Sequence, residues 1–392
     1  MMRRRFFGSL VAIAAMASLM GGCTKKSGET GTDGGASAAG GSEFLIGEYG
    51  SFTGSEATFG QSTSKGLKMA IEEKNKAGGI KGKQIKLISL DDQGKAEEAA
   101  AAVTRLITQN KVQAVIGEVA SSRSLAAAPI AQQHKVPMIS PSSTNPKVTE
   151  IGDYVFRVCF IDPFQGTVMA KFASENLKAK KVAILRDVKS DYSVGLADFF
   201  SKKFKELGGE ITNDVSYQSG EMDFKGQLTQ IKGAKPDAIY VPGYYTEVGL
   251  IARQARSLGI TVPLMGGDGW DSSKLSEIGG PAINGSYFSN HYTTESTDPV
   301  VVDFIKRFKE RHNETPDGLA ALGYDAGKIL FEAAERATDL TGPAIREQLA
   351  KTRDFVGVTG KISIDAQRNA NKPAVVVKVD GTTNRYVTTI SP

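Results

Sequence analysis

Short apolar runs alternate with helix-compatible stretches along most of this chain, and no other feature limits its fold as strongly. Phe44–Gly50 reads as a strand and Gln61–Ala77 as a helix, followed by Gln84–Leu90, Lys95–Gln109, Gln113–Gly117, Arg123–His134 and Val136–Ser140. After the segment Tyr154–Gly166 the pattern restarts: Lys181–Arg186, Ser193–Leu207, Glu210–Ser216, Asp223–Lys232, Asp237–Pro242, Glu247–Leu258 and Val262–Gly266. Strands separated by helices pair in parallel, and a parallel sheet must be covered by helices on both faces, which is why its strands read as continuous apolar runs. The restart predicts an α/β protein of two doubly wound parallel-sheet lobes rather than one very wide sheet. Long amphipathic helices over Val300–His312 and Ala320–Ala337, and a terminal hairpin of Ala374–Val379 with Arg385–Ile390 around Asp380-Gly381, complete the expected elements.

In open α/β sheets ligands collect outside the carboxyl ends of the strands, and a helix N-terminus there offers N–H groups and a positive partial charge. Ser121 and Ser122 follow one strand, and Ser142, Ser143 and Thr144 follow the next. Small hydroxyls without a Gly-rich loop, Lys or His among them suggest a small carboxylate rather than a nucleotide. Ser and Thr are also the preferred N-caps, so Ser121 or Ser122 could cap the helix near Arg123; capping and ligation are compatible. In the second half the strand ends carry Asp191 and Tyr192, Tyr244 and Tyr245, and Gly266-Gly267-Asp268-Gly269-Trp270. Any one tyrosine in these loops can be plain packing, and their shared address is what marks them. Asp268 can alternatively cap a helix beginning near Asp271–Lys274. Asp91-Asp92 is read as capping the helix Lys95–Gln109 rather than as a metal or acid–base pair, since the chain has only His134, His291 and His312, none of them near in sequence.

The N-terminus reads as a processed leader. Arg3, Arg4 and Arg5 precede an apolar core, Phe6–Met20, too short for a comfortable membrane span, and Leu19-Met20-Gly21-Gly22-Cys23 has the form of a lipoprotein cleavage site. Thr24–Ser42 is a Gly/Ser/Thr-rich tether with no core-forming residues. Residues 1–22 are thus a signal peptide, 23–42 a tether, and Cys23 the expected site of lipidation. Of the two cysteines, acylation of Cys23 leaves Cys159 without a partner in the chain, so the exported domain must rely on its core. With 48 Lys plus Arg against 43 acids, loss of the three leading arginines leaves nearly balanced charge; with no basic cluster interleaved with aromatics, this argues against nucleic acid. No Gly-x-Ser-x-Gly elbow, zinc-ligand spacing, Walker loop or Gly-x-Gly-x-x-Gly helix start is present, so an enzyme is disfavoured, with no catalytic residue, metal or cofactor expected.

The ordered blocks GSFTGSEATFGQ, NKAGGIKGKQIKLISLDDQGKAEEAA, VIGEVASSRS, VPMISPSSTNP, DAIYVPGYYTEVG, RQARSLG and PLMGGDGWD resemble the leucine/isoleucine/valine-type amino-acid-binding proteins of ABC importers, from Glu43 to the C-terminus. The resemblance implies a type I periplasmic-binding-protein fold: a first lobe of residues 43–162 and 291–372, a second of 163–290 and 373–392, and a multi-strand hinge near Asp162–Phe164, His291 and Lys372–Ala374. It places carboxylate binding on Ser121 and Thr144 with the backbone of Ser142, the ammonium partner on Asp268 where many relatives have Glu, closing tyrosines at Tyr192 and Tyr244, and Phe59 beside the side-chain pocket. Trp270 either walls that pocket or packs behind it. The implied protein is a monomer outside the cytoplasm, held to the membrane only by lipid on Cys23, that delivers an α-amino acid, Leu, Ile or Val above all, to ABC permease subunits. The same scaffold also binds amides and urea and forms receptor ectodomains, so a sensor of amino acids or amides acting through a separate membrane receptor is the alternative.

Overall fold

The computed structural model describes residues 43–392; the signal-peptide, tether and Cys23 readings fall on residues 1–42 and lie outside the described residues. The chain opens with β1 (Glu43–Gly50), α1 (Ala57–Lys76), β2 (Gln84–Asp91), α2 (Ala96–Thr108), β3 (Ala114–Ile116), α3 (Ser121–Gln133), β4 (Met138–Ser140), α4 (Lys147–Glu150) and β5 (Val155–Arg157). Then come α5 (Asp162–Lys171), β6 (Lys181–Asp187), α6 (Asp191–Glu206), β7 (Glu210–Tyr217), α7 (Lys225–Ala234), β8 (Ala238–Tyr240), α8 (Tyr245–Ser257), β9 (Leu264–Gly266), α9 (Ser273–Gly279) and β10 (Tyr287–Asn290). Three helices follow, α10 (Pro299–His312), α11 (Gly318–Arg336) and α12 (Gly342–Ala350), then the short strands β11 (Phe355–Gly357), β12 (Gly360–Ile364) and β13 (Ala370–Asn371). The hairpin β14 (Ala374–Asp380) and β15 (Thr383–Ile390) ends the chain, paired antiparallel as its sequence predicts.

The first sheet has the order β2-β1-β3-β4-β5, all parallel, and the second the order β15-β14-β10-β9-β8-β6-β7, parallel from β7 to β10. Each strand side chain points to the face opposite its neighbour's, so the apolar runs feed two cores at once. Ala114 and Ile116 face α1 and α11 through Leu67, Ala70 and Leu322, whereas Val115 faces α2 and α3 through Val103, Leu106 and Ala128. In the second lobe Val182 and Ile184 meet Leu196, Phe200 and Phe204 of α6, and Ala183 and Leu185 meet Val248 and Ile251 of α8. Burying each such Val, Leu, Ile or Phe side chain contributes about 1.5–3 kcal/mol, so the two-sided covering fixes the layer order.

Helix α11 joins the first lobe although 160 residues separate it from β5, and two glycines explain the fit. A Cβ on Gly66 of α1 would lie 1.9 Å from the Ala320 carbonyl oxygen, and one on Gly323 would lie 2.2 Å from that of Thr63. The helices therefore cross backbone to backbone, and α11 is buried along most of its length. The elements β5, α5, α12 and β11–β13 escape the sequence pattern; α5 is buried on several sides and so carries no clear period, and the strands among them lack the flanking helix-compatible stretches that mark the others. Tyr287–Asn290 pairs inside the second sheet, and the chain leaves that sheet at His291.

Candidate functional site

Both sheets place their second strand outside the first and then reverse, so each has a topological switch point, between β1 and β3 and between β6 and β8, where the loops at the carboxyl ends part and leave a crevice. These two ends face each other. Across the gap Ser142 Oγ donates to Asp268 Oδ2 at 3.1 Å, Ser122 Oγ donates to Asp191 Oδ2 at 2.8 Å, and Asn145 Nδ2 donates to the Asp191 carbonyl at 2.8 Å. Thr246 Oγ1 reaches the Ser55 carbonyl at 2.7 Å, and Phe59 sits edge-on to Tyr244 and Tyr245 with ring centres 5.3 and 5.2 Å away.

The first-lobe wall is the start of α3 with the turn after β4. The N-cap is Ala120, which has no side-chain bond to the helix, so neither Ser121 nor Ser122 caps it. Ser121 Oγ instead accepts from Asn145 N–H at 3.2 Å, tying the two turns together, and Ser122 is spent on the contact across the cleft. The first N–H groups of the helix have no intrahelical acceptor and project past its end. Thr144 is fully buried, and its Oγ1 faces the Asp162 carboxyl without a hydrogen bond of good geometry. Ser143 turns inward, within 2.8 Å of the Glu118 carbonyl and 2.7 Å of Ser124 Oγ, and does not belong to the crevice.

The second-lobe wall centres on Asp268. Its Oδ1 accepts from Gln165 Nε2 at 2.8 Å and Tyr192 Oη at 3.0 Å, and its Oδ2 accepts from His291 Nε2 at 3.0 Å as well as from Ser142. The capping alternative for Asp268 fails: α9 is capped by Ser272 Oγ, which accepts from Lys274 N–H. Ser190 likewise caps α6, so Asp191 and Tyr192 lie in its first turn rather than in a loop. Tyr192 stacks on Tyr244 at 5.4 Å, and burial, then the Asp268 charge, holds the Tyr192 phenol well above its ordinary pKa. Val119, Ser142, Tyr192, Tyr244, Asp268 and Gly269 line a small interlobe cavity of about 10 Å³, so the walls stand nearly in contact. Trp270 is fully buried with Nε1 donating to the Val241 carbonyl at 2.9 Å; its indole packs behind the wall, against Phe288, and is not among the lining residues.

Beneath the first-lobe wall lies a charged layer with no local sequence signature. Glu118 Oε1 accepts from Ser51 N–H at 3.1 Å, and Arg123 donates to Glu56 Oε2 at 2.6 Å while lying 3.4 Å from Glu118. Asp92 Oδ1 accepts from Ser51 Oγ at 2.9 Å and Gly94 N–H at 2.9 Å, and burial, then Glu118, pushes it up to about 7. Asp91 accepts from Phe52 N–H and Gln93 N–H, both at 2.9 Å, so the two acids shape the loop after β1 and its neighbour, and neither caps α2. Gln165 and His291 also escaped sequence reasoning as site residues. His291 was legible only as a hinge position, and Gln165 sits in a helix whose start carried no periodic signal.

A profile of the family described as periplasmic binding protein matches residues 44–384. The chain is 33% identical to "Leu/Ile/Val-binding protein homolog 2" of Brucella abortus over 334 residues, 84% of this chain and 89% of that protein. Among solved structures, a leucine binding protein from Thermotoga maritima superposes with a TM-score of 0.86 at 45% identity, covering 89% of this chain and 99% of that one. A branched-chain amino acid transporter substrate binding protein from Streptococcus pneumoniae, in complex with isoleucine, gives 0.85 at 38% identity, covering 89% and 100%.

Proposed function

The chain belongs to the periplasmic binding protein family, and from that premise we propose that it captures a free α-amino acid of the branched-chain class between its lobes and delivers it to an ABC transporter permease. The observation that carries the reading is the pairing of opposite chemistries across one crevice. On one side stand a helix N-terminus and the Ser121 and Thr144 hydroxyls; on the other stands the buried acid Asp268. Ser121 and Thr144 take the carboxylate with the N–H groups of α3, the Ser142 backbone assists, and Asp268 takes the ammonium in place of the Ser142 hydroxyl it now accepts. Phe59, Tyr192 and Tyr244 supply an aromatic wall for an apolar side chain. The relatives are named for binding Leu, Ile and Val and for transport, which does not favour the sensor alternative.

The family is extracytoplasmic and of solute-binding type. We read the chain as a monomer without catalytic function, its lobes divided at 43–162 with 291–372 and 163–290 with 373–392, a division supported by which strands join which sheet. Lipidation at Cys23 remains part of the proposal, and mass spectrometry of the membrane fraction should find an acylated Cys23 as the first residue. The functional test is calorimetric titration of unfolded and refolded protein, free of carried-over ligand, with leucine, isoleucine and valine. Saturable binding of at least one is expected; binding of none, with an amide or urea bound instead, refutes the reading.

A further inference from the structure

Asp268 is anchored by two donors of its own lobe and a third, His291, at the crossing between the lobes. Gln165 Nε2 and Tyr192 Oη both donate to Oδ1, and the Tyr192 hydroxyl also accepts from Gly269 N–H at 3.2 Å, so Oδ1 is held against the second-lobe wall. Oδ2 is different. It is the oxygen that the first-lobe Ser142 reaches, and its one other donor is His291 Nε2 at 3.0 Å. An ammonium entering from the crevice must therefore meet Oδ2, and the direction in which Oδ2 presents its remaining lone pair is set by His291.

Three features fit His291 to that task. Its ring is stacked on Phe160 with centres 3.8 Å apart and planes 20° apart, which fixes the direction of the Nε2–H bond. Phe160 and His291 stand on two different chain crossings between the sheets, so the stack ties Asp268 to the hinge itself. The ring also donates without carrying charge: Nδ1 is buried and unpartnered, and burial pulls the imidazole down to about 4, against the Asp268 hydrogen bond and aided by the nearby Lys372 cation. A charged donor in this place would cancel the carboxylate and compete with the ligand, whereas a neutral one orients it and leaves its full charge for a cation. An Asp arm is one methylene shorter than a Glu arm and cannot search for the ammonium, so the position of Oδ2 matters more here.

We propose that His291 is the positioning residue that presents the Asp268 carboxylate to the crevice, making the site selective for a ligand that carries an ammonium over the same carbon skeleton without one. The inference rests on the amino-acid reading of the site. It is tested by calorimetry with leucine and with 4-methylpentanoate, its deaminated counterpart, on the wild type, His291→Phe and His291→Gln. Phenylalanine keeps the stack on Phe160 and removes the donor; glutamine returns an amide N–H. Hydrogen bonds to charged groups govern about a tenfold or larger change in affinity, so His291→Phe should lose about that much of the preference for leucine, and His291→Gln should recover part of it. A merely structural histidine would weaken both ligands alike and leave their ratio unchanged. A wild type that prefers leucine, with the same ratio in His291→Phe, overturns the inference alone; a wild type that binds neither compound overturns the amino-acid reading beneath it.

Discussion

Replacing Asp268 by asparagine separates charge from shape at the centre of the cleft. The carboxylate accepts four side-chain hydrogen bonds, two on each oxygen. An amide keeps one oxygen and turns an NH2 toward the other pair of donors. If the NH2 takes the Oδ1 place, Tyr192 can rotate its hydroxyl to accept and Gln165 can flip its amide. If it takes the Oδ2 place, Ser142 can rotate, but His291 must move its proton to the buried, unpartnered Nδ1. Each arrangement leaves about one buried group unsatisfied, since the Gln165 flip gives up the bond its Oε1 accepts from the Asp268 N–H, and one such group costs about 1–3 kcal/mol. At about 2–4 °C per kcal/mol for a domain of 150–250 residues, the ligand-free protein should melt a few degrees lower and remain folded.

Ligand binding should suffer far more. Removing one partner of a buried charge pair costs about 3–5 kcal/mol, and each 1.4 kcal/mol is about a factor of ten, so affinity for leucine should fall by two to more than three orders of magnitude. Calorimetry measures the loss directly, and melting measures it again. Ligand at about 100 times its dissociation constant stabilises by about 2.7 kcal/mol, and a hundredfold weaker variant at the same concentration keeps only about 0.4 kcal/mol of that. Asp268→Asn that binds leucine as the wild type does, or that keeps the full thermal shift, would falsify the assignment of the ammonium to this residue.

Thr144→Val, which keeps the shape and removes the hydroxyl, and Ser121→Ala should each weaken leucine binding by roughly tenfold or more; unchanged affinity in both by titration would move the carboxylate elsewhere. Small-angle scattering should show a more compact particle at saturating leucine than without it, and Ser122→Ala, which removes the hydroxyl's bonds to both the Asp191 carboxylate and its N–H, should reduce that difference; superimposable wild-type curves would mean a rigid cleft. Asp162 is fully buried at the first crossing and pushed up to about 8 by burial, so the folded chain holds a proton that the unfolded chain has released. Stability contributed by that proton is lost progressively from the unfolded value up through the folded value, so its share of the melting temperature should decline between about pH 4 and 8, and Asp162→Asn should flatten the decline; an identical slope in the variant counts against it.

How much of this could be read from the sequence depends on the range over which each decision is made. The two lobes were legible because strands buried on both faces must be apolar throughout, and the strand-end addresses of Ser121, Thr144, Tyr192, Tyr244 and Asp268 follow from the geometry of parallel sheets. The partners of those residues were not legible. Gln165 is 103 positions from Asp268 and His291 is 23 away, and Ser122 meets Asp191 across 69 residues. A serine at a helix start has the same neighbours in sequence whether it caps the helix or spans a cleft. Local reading therefore proposed caps for Ser121, Ser122, Asp91, Asp92 and Asp268, and in every case a distant or loop partner took the group instead.

The hydrogen bonds that now join the lobes run from hydroxyls and an amide to two carboxylates and two carbonyls, worth a net 0.5–3 kcal/mol or so each, and an open cleft would hydrate the same groups. Closure without ligand is thus close to balance, and the ligand has to supply the difference. Moving a two-state equilibrium from 1:99 to 99:1 takes about 5.5 kcal/mol of differential binding. A zwitterion can supply it because its two charges fall on opposite walls: the carboxylate on α3 and Thr144 of the first lobe, the ammonium on Asp268 of the second. Charged hydrogen bonds at about 1.5–3 kcal/mol each, made on both walls at once, together reach the required size, and those of one wall alone do not do so dependably. A molecule with only one of the two charges grips one wall, stabilising the open and closed forms nearly equally, and equal affinity for both forms shifts nothing. 4-Methylpentanoate at saturation should therefore leave the scattering curve of the ligand-free protein in place while leucine changes it. A full compaction with the deaminated acid would show that the carboxylate wall alone drives closure and that Asp268 serves selection without taking part in the motion.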